Sequence, residues 1–237
     1  MPRSDSLGAY LDALASADPT PGGGAAAAWT LAQAAALLCM VCRLTQGKPQ
    51  AADHEASLSL LLDESLTVKS AAERLADADS TAFQAFGTAA SLPKDSPAAV
   101  ATRTAALQAA LADAARVPLA VYALAGQLLG PGGAVRILAG IGNPRVLSDV
   151  KVAHWLALAA LQASEENVRV NLALIKDPAL VAQFEGLLVH GAAAAAWKQG
   201  PPHESAASAP LPDPKALERI AAFLHAVPDR VFTAPKP

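Results

Sequence analysis

The sequence predicts an all-α fold, a single-domain bundle of long helices with no sheet, and three observations carry that expectation. Apolar residues recur at helical spacing along most of the chain. Val, Ile, Thr and aromatic residues nowhere alternate with polar ones over a useful length, so strand signals are missing. Hydrophobic residues make up 53% of the 237 positions but aromatics only 4%, so Ala and Leu must close the core, which favours helices in close approach. The expected division is one helical domain over 1–198 and, over 199–237, a Pro/Ala-rich linker with one short C-terminal helix.

Taken in order, Leu7, Tyr10, Leu11 and Leu14 form a first helical stripe behind Ser6, a ready N-cap. Next comes Pro19-Thr20-Pro21-Gly22-Gly23-Gly24, where prolines fix φ and glycines permit φ > 0. A helix is expected from Ala25 to Thr45, apolar around nearly all of its circumference and therefore inside the bundle. It has no side-chain cap, so its first amides are expected to point unpaired into the loop, available to a ligand acceptor. A tight turn between packed helices is the structural alternative. Gly22, Gly24 and Ala27 spell a dinucleotide fingerprint in letters, but the prolines exclude the preceding strand that it requires.

A long helix is expected from Ala51 to about Ala90. Asp79 lies on its apolar stripe, four residues after Leu75 and four before Phe83. A carboxylate there must find a partner or take a raised pKa, and both are common at acid/base sites. Ser96 and Pro97 read as cap and first turn of the next helix, which runs towards Leu129 with a kink at Pro118. After a second glycine turn at Gly130–Gly133, Ser148 is expected to cap a helix carrying Asp149 in its first turn and Ser164, Asn167 and Asn171 further down one face. Asp149 also suits a helix N-terminus on electrostatic grounds alone, and the asparagines could simply bridge helices. Asp177-Pro178 opens a helix through Val189. Gln199 to Asp213 reads as linker, Leu217, Ile220, Ala221 and Leu224 as a short amphipathic helix, and the tail from Val227 as irregular.

The net charge of −3 gives no reason to propose nucleic acid or an anionic membrane as partner. The first residues lack the apolar run of a secretory leader, and Ala25 to Val41, interrupted by Thr30 and Gln33, reads as a buried core helix instead of a span. Cys39 and Cys42, one turn apart inside that helix, read as reduced core thiols of a cytoplasmic protein. No histidines fall at metal-ligand spacing, so no metal is expected.

The run Pro19-Thr20-Pro21-Gly22-Gly23-Gly24, the alanine-rich helix and Met40-Val41-Cys42-Arg43-Leu44-Thr45-Gln46-Gly47-Lys48 together resemble the signature of the formiminotetrahydrofolate cyclodeaminase and methenyltetrahydrofolate cyclohydrolase family. Further echoes follow in order: Asp79 with Ala82-Phe83, Leu92-Pro93-Lys94, Val117-Pro118-Leu119, Asn143, Ser148-Asp149, and Asn167 to Leu172. The similarity extends over roughly Leu7 to Leu188.

The resemblance implies a dimeric all-α enzyme acting on one-carbon units of tetrahydrofolate, with no metal or redox cofactor. Cyclodeaminases of that family close formiminotetrahydrofolate to methenyltetrahydrofolate with loss of ammonia, and the cyclohydrolases open methenyltetrahydrofolate with water. It also implies acid/base roles for Asp79 and Asp149. Gly22, Gly23, Gly24, Lys48, Lys94, Asn143 and Asn167 would then position the substrate. The chain departs from the family pattern at Pro49, Gln50, Ala51, Ala90, Ser91, Val150 and Lys151. Those departures keep a second class open, a non-catalytic helical folate-binding or interaction protein.

Overall fold

The computed structural model describes residues 6–192 and 215–232. The expected linker, the alanine run before Trp197 and the residues from 233 onward lie outside those ranges. Helices α1 (Leu7–Leu14), α2 (Gly23–Thr45), α3 (Glu55–Ala90), α4 (Pro97–Leu129), α5 (Ala134–Ile141), α6 (Leu147–Leu172), α7 (Pro178–Ala192), α8 (Ala216–His225) and α9 (Asp229–Phe232) follow one another. Among the described residues there is no strand.

Four of these helices make the frame. Helix α2 packs along α3 and α6, and α4 closes the ring against the same two. Residue pairs fix the directions. Ala25 meets Asp79 while Gly47 meets Glu55, so α2 and α3 are antiparallel. Glu64 meets Gln127 and Ala90 meets Arg103, so α3 and α4 are antiparallel as well. Gly23 faces Asn167 at one end, and Thr45 holds Asn143, just before α6, at the other. The result is an up-down-up-down bundle with α2 and α4 on one diagonal.

Alanine makes this closeness possible. Ala25, Ala27, Ala28, Ala32, Ala34 and Ala35 are all buried along α2, with Leu31 and Leu38 supplying most of the bulk. Two stretches, Gly23–Thr45 and Pro97–Ile141, are long and apolar enough by composition to cross a membrane. In this fold 61% and 67% of their most apolar windows are buried against other helices, which accounts for both as core helices.

Several boundaries differ from expectation. Helix α2 begins at Gly23, two residues early, and none of Gly22, Gly23 and Gly24 takes positive φ; among the described residues only Gly47 does, at 69°. The Thr20–Pro21 peptide is cis. Pro49–His54 is a 3-10 turn ahead of α3, with Pro49 at its first position, where the missing amide forfeits no helical bond. Ser148 lies inside the first turn of α6 and Val146 occupies the cap position. Residues after Val227 are not wholly irregular. Helix α9 returns to the bundle, with Val227 and Val231 buried and Arg230 Nε donating to Asp113 at 2.7 Å.

Pro118 sits within α4 without ending it. Its ring nitrogen has no proton for the carbonyl of Ala114, and the Asn171 side-chain amide of α6 donates to that carbonyl instead, at 3.3 Å. Asn171 also donates to Asn167 O at 2.8 Å. It therefore bridges helices, as its sequence position allowed.

Candidate active site

The N-terminal end of α2 is where polar chemistry enters the bundle. The backbone N–H of Ala25 donates to Asp79 Oδ2 at 3.0 Å. This corrects the expectation that the first amides of α2 point unpaired into the loop, since the protein's own carboxylate takes one of them. Electrostatics favours the arrangement, because a negative group at a helix N-terminus faces the positive end of the helix dipole. Gly24 makes it possible sterically. A Cβ at that position would lie 2.1 Å from Asp79 Oδ1 and 2.6 Å from Cγ. The glycine serves close approach here, not a left-handed turn.

Asp79 is half-buried on the inward face of α3. Loss of hydration raises its pKa above the ordinary carboxylate value, and the Ala25 hydrogen bond offsets only part of that rise. A carboxyl held in this way can exchange a proton nearer neutrality than a solvated aspartate can.

Asn167 joins from α6. Its side-chain amide donates to Ala163 O at 2.8 Å, and a Cβ on Gly23 would lie 3.6 Å from its Nδ2. Tyr10 joins from α1, close enough for the charge of Asp79 to act on its phenol, with its ring edge-on to Trp29 at 6.0 Å. By sequence alone Tyr10 is a residue of the apolar stripe of α1. No local signal says that Tyr10 of α1 meets Trp29 of α2.

The remaining expected site residues lie elsewhere in the chain. Gly24 and Thr45 are separated by about 32 Å of helix at 1.5 Å per residue. Asn143 is fastened at the Thr45 end. Its backbone N–H donates to Thr45 Oγ1 at 2.9 Å, its Nδ2 donates to Leu44 O at 3.1 Å, and its Oδ1 accepts from Arg145 N at 3.0 Å. Lys48 is exposed just beyond the same end. Asp149 lies half-buried in the first turn of α6, about 27 Å of helix from Asn167. Lys94 is exposed in the α3–α4 connection. One chain thus brings together Gly23, Gly24, Asp79 and Asn167, with Gly22 as the α2 cap residue, and leaves Lys48, Asn143 and Asp149 towards the opposite end of the bundle.

Among the described residues no group of three or more His, Cys, Asp or Glu is placed to hold a metal ion. Cys39 and Cys42 are free and buried, and burial pushes the Cys42 thiol up to about 12.

An antiparallel ring of long helices, with a half-buried carboxylate pinned to the glycine-started end of its inner helix, defines an all-α bundle with an aromatic-poor core. The profile described as Formiminotransferase-cyclodeaminase matches residues 6–187, and the chain belongs to that family. Methenyltetrahydrofolate cyclohydrolase of Methylorubrum extorquens is 37% identical over 197 residues, covering 81% of this chain and 93% of that protein. Formimidoyltransferase-cyclodeaminase of Sus scrofa is 35% identical over 177 residues, 75% of this chain but 32% of that relative. The crystal structure of formiminotetrahydrofolate cyclodeaminase from Thermotoga maritima has the same fold, with a TM-score of 0.66 at 24% identity and 96% of each chain covered.

Proposed function

We propose that this chain is a folate one-carbon enzyme, a methenyltetrahydrofolate cyclohydrolase, working as a cytoplasmic homodimer. The observation that carries the reading is the Asp79 carboxylate, desolvated and held by the Ala25 amide at the glycine end of α2. Identity to the Methylorubrum cyclohydrolase, 37% against 24% to the Thermotoga cyclodeaminase of similar length coverage, supports hydrolysis over deamination.

The methenyl carbon bridges two folate nitrogens and carries positive charge. In hydrolysis a water oxygen bonds to that carbon while ionised Asp79 accepts the water's proton, giving a neutral tetrahedral carbon. The hydroxyl of that carbon gives up its proton to solvent as one carbon–nitrogen bond breaks, the electron pair of that bond stays on nitrogen, and the proton held by Asp79 passes to that nitrogen. A formyl group remains on the other nitrogen. Asn167 and the amides of Gly23 and Gly24, beside Gly22, position the ring system. Lys94 is a further candidate contact to the substrate, and Asp149, Lys48 and Asn143, at the other end of the bundle, can serve the Asp79 site as second acid/base group and contacts only from the second chain of the homodimer. No metal or redox cofactor is required by these steps.

Purified protein should abolish methenyltetrahydrofolate absorbance at a rate proportional to enzyme concentration. Ammonia release from formiminotetrahydrofolate would instead favour the cyclodeaminase reading, for which the shared fold is the supporting observation. A folded protein that binds a reduced folate and turns over neither compound would sink both and leave a binding module.

A further inference from the structure

Helix α1 buries none of its residues fully, and Leu7 and Leu11 are 71% and 51% exposed. Tyr10 is half-buried, as are Ala13 and Leu14, and its ring lies edge-on to Trp29 of α2. The Tyr10 hydroxyl oxygen is buried, and among the described residues it has no hydrogen-bond partner. A buried hydroxyl without a partner is destabilising, and phenylalanine would fill the same space without that cost. Such groups in native structures call for an account, and a partner that arrives with the substrate is one.

We propose that Tyr10, packed on Trp29 one helical turn after the Ala25 amide that holds Asp79, is a catalytic hydrogen-bond donor to the oxygen that water adds to the one-carbon unit. The inference rests on the cyclohydrolase reading given above. The oxygen starts as water, becomes the hydroxyl of the tetrahedral carbon and ends as the formyl oxygen. When the tetrahedral carbon collapses, its oxygen carries developing negative charge as its proton leaves to solvent, while Asp79 is occupied in protonating the departing nitrogen, so a neutral donor to that oxygen is what this step lacks. Burial first, and then the negative charge of Asp79, raise the phenol above its usual pKa, so Tyr10 stays protonated at neutral pH and keeps a proton to donate. No bond to Tyr10 is made or broken in the reaction.

The test is Tyr10→Phe, measured for turnover of methenyltetrahydrofolate and for melting temperature together with wild type. The expected result is a fall in kcat of about 10²-fold with a melting temperature equal to or above that of wild type. Active wild type with kcat of the variant within twofold would overturn the role of Tyr10 while leaving the cyclohydrolase reading intact. A lowered melting temperature, with activity lost only in proportion to unfolded protein, would make the hydroxyl structural and also overturn it. Inactive wild type would remove the cyclohydrolase reading and this inference with it.

Discussion

The carboxylate of Asp79 occupies the space that a side chain on Gly24 would need. Their relation is steric and electrostatic at once: a missing Cβ on α2 lets the α3 carboxylate reach the Ala25 amide at 3.0 Å.

Gly24→Ala should therefore be far more damaging than Gly23→Ala. The new methyl at 24 would sit 2.1 Å from Asp79 Oδ1, whereas one at 23 meets nothing nearer than Asn167 Nδ2 at 3.6 Å. Expelling the carboxylate should cost about 1–3 kcal/mol and most of the turnover. Urea denaturation and initial rates on both variants check this, and equal stabilities for the pair would contradict it.

Asp79→Asn keeps an oxygen for the Ala25 amide and removes the basic site. Turnover should fall about 10²- to 10⁴-fold with little change in folate affinity. In wild type, the rising limb of kcat against pH should lie above the ordinary carboxylate pKa, because burial raises that of Asp79 and the base must be ionised to act. A limb at or below the solvated-aspartate value would count against it.

Glu64 offers a separate pH effect. It is 2% exposed, accepts from Gln127 Nε2 at 2.8 Å, and Gln127 in turn accepts from Arg219 of α8 at 3.0 Å. Desolvation outweighs these contacts and raises its pKa from 4.5 to about 7. The folded state then holds a proton that the unfolded chain releases near 4.5, so the stabilisation is complete below 4.5 and is lost as pH rises through about 7. Glu64→Gln preserves the bond from Gln127 and should flatten the dependence of melting temperature on pH across that window. A variant that melts like wild type at every pH would refute the assignment.

Asn171 and Pro118 should be coupled. Asn171→Ala leaves the Ala114 carbonyl without its donor, a loss of about 1–3 kcal/mol. With Pro118→Ala in place, a backbone N–H is restored to that carbonyl, and the same change should cost less. A double-mutant cycle by chemical denaturation gives the interaction energy, and strict additivity would show that the two are independent.

Much of this molecule is legible in its residues because helical spacing and glycine or proline breaks are local signals. The long helices, the break at Leu92–Ser96 and the inward position of Asp79 all come from such signals. Glycine is ambiguous: a residue that permits φ > 0 is the same residue that permits contact, and Gly24 is used for contact. Tyr10 and Glu64 escaped because their surroundings come from partners far along the chain. Trp29 lies against the phenol, and Gln127 and Arg219 complete the Glu64 network. Asn143 and Asn167 read alike as polar positions, yet they lie towards opposite ends of α2.

Chain synthesis meets the ring of four helices in one direction only. Helices α2, α3 and α4 are complete before α6 exists, so the flank of α2 that α6 covers, and the Ala114 carbonyl that waits 57 residues for Asn171, stay wet or hidden by something else while the ribosome works. An alanine seam exposed over that interval is a surface for holdase chaperones. Stalled nascent chains ending before Leu147 should remain open to protease, and those extended past Ala192 should resist it. Protection already complete in the shorter chains would mean that three helices close the seam without the fourth.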